Sequence, residues 1–114
     1  MMSFKELPEF QKEIKRYSKR YKSLFNDLEQ FCDVVSVNPL GNSRHFNIIT
    51  QNDILFIVKA RLFCRYLKGS SLRIIYAYFK EDQQIEFIEL YFKGDKENED
   101  RNRIKNYLKS FQDK

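Results

Sequence analysis

Ile54-Leu55-Phe56-Ile57-Val58-Lys59-Ala60-Arg61-Leu62-Phe63-Cys64-Arg65, followed through Tyr66-Leu67 by Lys68-Gly69-Ser70-Ser71-Leu72-Arg73-Ile74-Ile75-Tyr76-Ala77-Tyr78-Phe79-Lys80, is the stretch that decides the fold. It holds six basic residues (Lys59, Arg61, Arg65, Lys68, Arg73 and Lys80) and no acid. Read as a strand, Ile54, Phe56, Val58, Ala60, Leu62 and Cys64 point one way and are all apolar. The other face runs Leu55, Ile57, Lys59, Arg61, Phe63, Arg65, and turns from apolar to cationic halfway along. A core hairpin has no structural need for so many cations. A sheet that presents them on one face is built to meet an anion, and phosphate is the leading candidate.

Working outward, Lys68-Gly69-Ser70-Ser71 is a turn into a strand over Leu72–Phe79. Glu81-Asp82-Gln83 turns again into a strand over Gln84–Phe92. Upstream, Phe46–Thr50 is a short strand, joined to Ile54 by a turn at Gln51-Asn52-Asp53. Asn38 to Ser43, with Pro39 and Gly41, is a loop. Before it the period is helical: Phe10, Ile14, Tyr17, Tyr21, Leu24, Leu28, Phe31 and Val35 form one apolar stripe. A single helix from Pro8 to Val37 would be about 45 Å long, overhanging a domain whose radius of gyration is about 13 Å. A break near Tyr21–Ser23, with Ser23 as N-cap, gives a helical hairpin instead; a coiled-coil dimer is the alternative. Ile104, Tyr107, Leu108 and Phe111 mark a closing helix from Glu97 onward. Helices segregated from a run of sheet make an α+β fold: an N-terminal helical hairpin on a 3–4-stranded antiparallel sheet, with a C-terminal helix.

The 114 residues suit one domain spanning 1–114. A hydrophobic share of 42% excludes a disordered chain. The net charge of +5 suits nucleic acid or an acidic protein. The eight acids against two lysines between Glu81 and Asp100 read as a solvated helix start. Cys32 and Cys64 are far apart and His45 is the sole histidine, which excludes a zinc site and fits buried thiols in a reducing cytosol. No cofactor or metal is called for. No apolar run approaches the roughly 20 residues of a membrane span, so a cytoplasmic protein is expected.

With these elements in place, the chain resembles the RelE/ParE toxin superfamily of bacterial type II toxin–antitoxin systems, and within it the RelE-like messenger-RNA endonucleases. The resemblance lies in Leu7-Pro8-Glu9-Phe10 and its basic helix, Val58-Lys59-Ala60-Arg61, Leu72-Arg73-Ile74-Ile75-Tyr76 and Ile88-Glu89-Leu90-Tyr91-Phe92-Lys93. It implies a helical hairpin on a curved antiparallel sheet, whose basic face enters the ribosomal A site and cuts messenger RNA by attack of a 2′-hydroxyl on the neighbouring phosphate. It also implies a cognate antitoxin as partner.

Such a reaction needs a base, charge stabilisation and an acid. Lys59 and Arg61 share a strand face, about 6.6 Å apart along it, and Arg73 and Lys93 can converge on them. Arg73 suits the scissile phosphate, because a guanidinium binds two oxygens at once. Lys59 is the base candidate if Arg61 and Arg73 lower its pKa towards neutrality. Arg61 serves charge stabilisation, and Lys93 serves as acid or phosphate ligand. Tyr91 and Glu89 are auxiliary candidates, against a core tyrosine and a simple salt bridge. Arg65, Lys68, Lys15, Lys19 and Lys22 are RNA-binding candidates. No histidine is expected near the site, which excludes a histidine mechanism. A ParE-like gyrase poison and a non-catalytic RNA-binding module on the same fold are the competing functions.

Overall fold

A computed structural model describes residues 2–42 and 44–111. The elements are β1 (Ser3–Glu6), α1 (Pro8–Arg20), α2 (Leu24–Val37), β2 (Phe46–Gln51), β3 (Leu55–Phe63), β4 (Ser71–Phe79), β5 (Gln84–Phe92) and α3 (Arg101–Lys109). The sheet has the order β1-β5-β4-β3-β2. β2 to β5 form the expected antiparallel meander.

Two features of the expected architecture are corrected. The sheet has five strands rather than three or four and is mixed rather than purely antiparallel, because a strand precedes the helical hairpin. β1 runs parallel to β5, from Ser3 opposite Gln84 to Glu6 opposite Phe87. At four residues it is too short to show a period, and its partner lies at the far end of the sequence.

The hairpin breaks at Tyr21–Ser23, as the stripe requires. Tyr21 leaves the helix in an extended conformation, and its carbonyl accepts the Leu24 N–H at 3.0 Å. Ser23 stands at the N-cap position but does not cap through its side chain. Its hydroxyl instead donates to Asp27 Oδ2 at 2.6 Å, inside the fold.

Each face of the sheet carries its own core. Phe10, Ile14, Tyr17, Leu24, Phe31 and Val35 of the hairpin pack on Val58, Ala60, Leu62, Ile74, Tyr76 and Phe87. On the reverse face Leu55, Ile57, Ile75, Ala77 and Phe79 meet Ile104 of α3, flanked by Tyr107, Leu108 and Phe111. β3 and β4 are therefore buried on both sides at one end. α3 is nine residues, about 14 Å long, against nine-residue strands of about 30 Å. It covers the apolar half of the reverse face and leaves the cationic half open.

β3 and β4 pair without a slip from Leu55 opposite Phe79 to Phe63 opposite Ser71. Between β4 and β5 the register shifts: Ile75 faces Glu89 while Tyr76 faces Phe87, so Ile88 is a bulge. Beyond β1 the edge of β5 is closed by side chains of α1. Glu13 Oε1 accepts the Leu90 N–H at 3.0 Å, and Tyr17 Oη accepts the Phe92 N–H at 3.1 Å. Arg103 of α3 reaches round the same edge, donating to both oxygens of Glu13 at 2.7 and 3.1 Å and to the Ile88 carbonyl. One carboxylate thus joins α1, β5 and α3.

Glu13→Ala strands both the Leu90 N–H and the half-buried Arg103 guanidinium. Urea unfolding is expected to show a loss of about 2–4 kcal/mol, whereas Glu13→Gln, which keeps an acceptor for Leu90, loses less. Equal losses in the two variants would contradict this role for the carboxylate.

Candidate functional site

The register of β3, β4 and β5 sets the site. Arg61 lies directly opposite Arg73, and Arg73 directly opposite Tyr91. One row towards α3 the series is Lys59, Ile75, Glu89. At the open end of the sheet, where β3 turns into β4, a cleft of about 730 Å³ is lined by Arg61, Arg65, Lys68, Arg73 and Lys93, with Asp27 as its acid. Gly69 (φ +74°) turns the connecting loop, a conformation that costs glycine little.

Asp27 is already committed. Its buried carboxylate accepts from Ser23 Oγ and from the Arg65 N–H, and Arg65 Nε lies 3.4 Å from Oδ1. Among the described residues Arg61, Lys68, Arg73 and Lys93 make no salt bridge. Arg73 is oriented by Ser71, whose Oγ and carbonyl accept from Nη1 at 2.9 and 3.2 Å. Burial lowers the Arg73 pKa, and the facing Arg61 lowers it further. An opposite charge between the two guanidiniums offsets their repulsion.

The sequence-derived catalytic set therefore divides. Arg61, Arg73 and Lys93 come together in the cleft with Arg65 and Lys68. Lys59 stands outside it, its Nζ donating to Glu99 Oε1 at 2.9 Å. The expected lowering of Lys59 is corrected. Burial does pull its pKa down, but Glu99 and Tyr91 more than offset this, and the net direction is upwards. Glu99 lies 40 residues further along the chain, too far to be read locally. Glu89 is fully buried, paired with Lys96 and accepting the Asp100 N–H at 3.0 Å. Tyr91 is 2% exposed, and its hydroxyl makes no hydrogen bond among the described residues. Burial raises its pKa, partly offset by the neighbouring Lys59. Lys15, Lys19 and Lys22 are exposed on the hairpin and do not line the cleft.

Two further expectations change. The acidic run from Glu81 to Asp100 is not a solvated helix start. Glu86 binds the Tyr107 hydroxyl, Glu89 and Glu99 hold lysines, Asp95 meets Arg20, and Asp100 alone caps α3, through the Arg103 N–H. His45, expected away from the site, lies beside it. Its carbonyl accepts the Arg61 N–H at 3.1 Å, and its ring meets Phe63 edge-on at 5.2 Å. The sequence hides this, because a bulge at Ile49 shifts the β2–β3 register so that Phe46 pairs with Ala60, where a count from the turn pairs it with Arg61. Both thiols are free, with Cys64 buried and Cys32 half-buried.

No family model matches this sequence, and no curated protein does. Among solved structures, a chain of the crystal structure of the archaeal RelE–RelB complex from Pyrococcus horikoshii OT3 superposes with a TM-score of 0.62. The match covers 82% of this chain and 96% of that one, at 19% identity. The chain has a RelE-like fold. On this fold the open end of the sheet carries the cationic cleft, and α3 with its acidic approach covers the rest of that face. None of the described helices is long and apolar enough to cross a membrane.

The Lys59–Glu99 pair gives a signed pH dependence. Glu99 is raised by burial but lowered further by Lys59, to below its ordinary 4.5. Its contribution is present above pH 4.5 and is lost as pH falls through the lowered native pKa. The raised Lys59 loses its share only above pH 10.5. Glu99→Gln is expected to cost about 1–2 kcal/mol at neutral pH, between the exposed and buried ion-pair limits, and to flatten the acid limb of stability against pH. An unchanged acid limb in urea titrations would remove Glu99 from this role.

Proposed function

We propose that the chain is the toxin of a type II toxin–antitoxin system and acts as an endoribonuclease on translated messenger RNA, inhibiting translation. The observation that carries this reading is the set of cations that make no salt bridge among the described residues, Arg61, Arg73, Lys68 and Lys93, around one cleft of the RelE-like fold. Arg73, already oriented by Ser71, binds two oxygens of the scissile phosphate. Arg61, directly across, stabilises the charge that grows as the 2′-hydroxyl attacks phosphorus and the 5′-oxygen leaves. Lys93, which lines the same cleft, protonates that oxygen or holds the phosphate. These groups supply the positive charge without a metal.

Lys59 enters as base only if Glu99 releases it, because a protonated amine cannot accept a proton. The engaged pair favours a second reading, an RNA-binding module without catalysis. Exposed Phe25, Val34 and Val37 on α2 support a protein partner, and the complex in the related structure makes a cognate antitoxin the candidate. The ribosome and messenger RNA are the proposed targets in the cytoplasm.

Inducible expression in bacteria, with primer extension on a translated message, tests the reading. Wild type is expected to arrest growth and cut within translated codons. Arg73→Ala is expected to cut at least ~10²-fold more slowly, the scale of losing one oxyanion donor, and Lys93→Ala more slowly than wild type. Arrest with intact message would contradict the nuclease and, if accompanied by DNA damage, indicate a gyrase poison.

A further inference from the structure

Glu99 stands between two sets of cations. Its carboxylate accepts from Lys59 Nζ at 2.9 Å, and its side chain is only 8% exposed. It also lines a cavity of about 390 Å³ between β2 and α3, together with Ile49, Ile104, Arg101 and Lys105. Arg101 and Lys105 are four residues apart on α3 and so share a helix face. Both are exposed, and neither makes a salt bridge among the described residues. Arg101 is already within Coulombic reach of Glu99.

The pairing of Glu99 with Lys59 leaves a neighbour unsatisfied. Tyr91 is buried, and its hydroxyl has no hydrogen-bond partner among the described residues, although Lys59 lies close enough to act on it. Leaving such a group unpaired costs stability. Tyr91 belongs to the row of Arg61 and Arg73, and Lys59 stands one row away. Held by Glu99, the Lys59 ammonium does not bond that hydroxyl. Released, it has three donors, enough for Tyr91 and for an anion beside the arginines.

Only one side chain has to move. The backbone on either side of Glu99 is pinned to Glu89, through the Lys96 ammonium and through the Asp100 N–H at 3.0 Å. Asp100 in turn caps α3. A carboxylate and an RNA phosphate compete for the same ammonium, and the phosphate meets Arg61 and Arg73 one row on. RNA that binds the released arrangement better than the paired one shifts the balance by that difference.

We infer that Glu99 is an internal competitor of the substrate phosphate. It masks Lys59 in the free protein, and RNA entering the cleft displaces it towards Arg101 and Lys105, adding Lys59 to the cations that hold the RNA backbone. Glu99 is a positioning residue, acting through Lys59. The inference rests on the RNA reading above and gives that site a regulation by the chain's own acid.

The probe is a ribosome programmed with a 2′-O-methylated message, which cannot be cut, and co-sedimentation over a range of protein concentrations reads affinity. Circular dichroism checks that each variant is folded at the temperature used. Glu99→Gln is expected to bind at least about fivefold tighter than wild type, the lower end of coupling between two sites. Glu99→Asp, which draws the carboxylate back by one methylene, is expected to fall between them. Adding Lys59→Gln is expected to cancel the gain of Glu99→Gln, a coupling read from the double-mutant cycle. Replacing Arg101 and Lys105 together by Gln is expected to weaken binding more in wild type than in Glu99→Gln. If neither Glu99 variant binds tighter than a wild type that co-sediments, the switch is overturned and the RNA reading stands. A gain that survives Lys59→Gln is a bulk charge effect and overturns it equally. Failure of wild type and Glu99→Gln alike to co-sediment overturns both.

Discussion

Two arginines face each other across a pair of strands, and most of the structure is arranged to keep them there. Like charges directly opposite in a sheet destabilise it, and Arg61 and Arg73 occupy such a position. A slip by one residue would separate them. It would also turn Leu62 out of the hairpin core and put Arg61 into it. The register is held by both cores at once: Leu55, Ile57, Ile75 and Ala77 on the α3 side, and Val58, Ala60, Leu72 and Ile74 on the hairpin side. Packing energy on the apolar half of the strands fixes the repulsion on the cationic half.

The placement of the acids follows the same logic. Glu99 goes to Lys59, Glu89 to Lys96, Asp95 to Arg20, Asp27 to Arg65 and Glu13 to Arg103. Each pairing ties one element to another, and none of them neutralises Arg61, Arg73 or Lys93. The segment between β5 and α3 is the clearest case. Its Glu99 folds back over Lys59, closing the Lys59–Ile75–Glu89 row, and stops one row short of the arginines. Where α3 ends its cover, the electrostatic character changes from paired to open.

The legible part of this arrangement was the local part. The apolar stripe gave the hairpin and its break, and the alternation along residues 54–65 gave two faces and located the cationic patch before any pairing was known. Arg61, Arg73 and Lys93 were readable because period and strand order alone bring them near one another. β1 was not, being four residues paired in parallel with a strand some eighty positions away. The bulge at Ile88 left no trace in the pattern, although it puts both Ile88 and Glu89 on the α3 side. Lys59 was misread for a related reason. Its near neighbours in sequence are cations, whereas the groups that outweigh burial and raise its pKa, Glu99 and Tyr91, arrive with the tertiary fold. His45 was hidden by a second bulge, at Ile49, which moves its partner from the one a count across the β2–β3 hairpin gives.

The central claim is that facing guanidiniums are retained at a cost in stability because the cleft binds an anion. The most direct test is Arg61→Gln, with urea unfolding and RNA binding measured on the same preparation over a range of salt. The account predicts a higher unfolding midpoint, by roughly 0.2–1 kcal/mol, with an unchanged slope and a gain that shrinks as salt screens the repulsion. RNA binding should weaken and its salt dependence should become shallower. A lower midpoint, or a gain in stability with RNA binding unchanged, would contradict it.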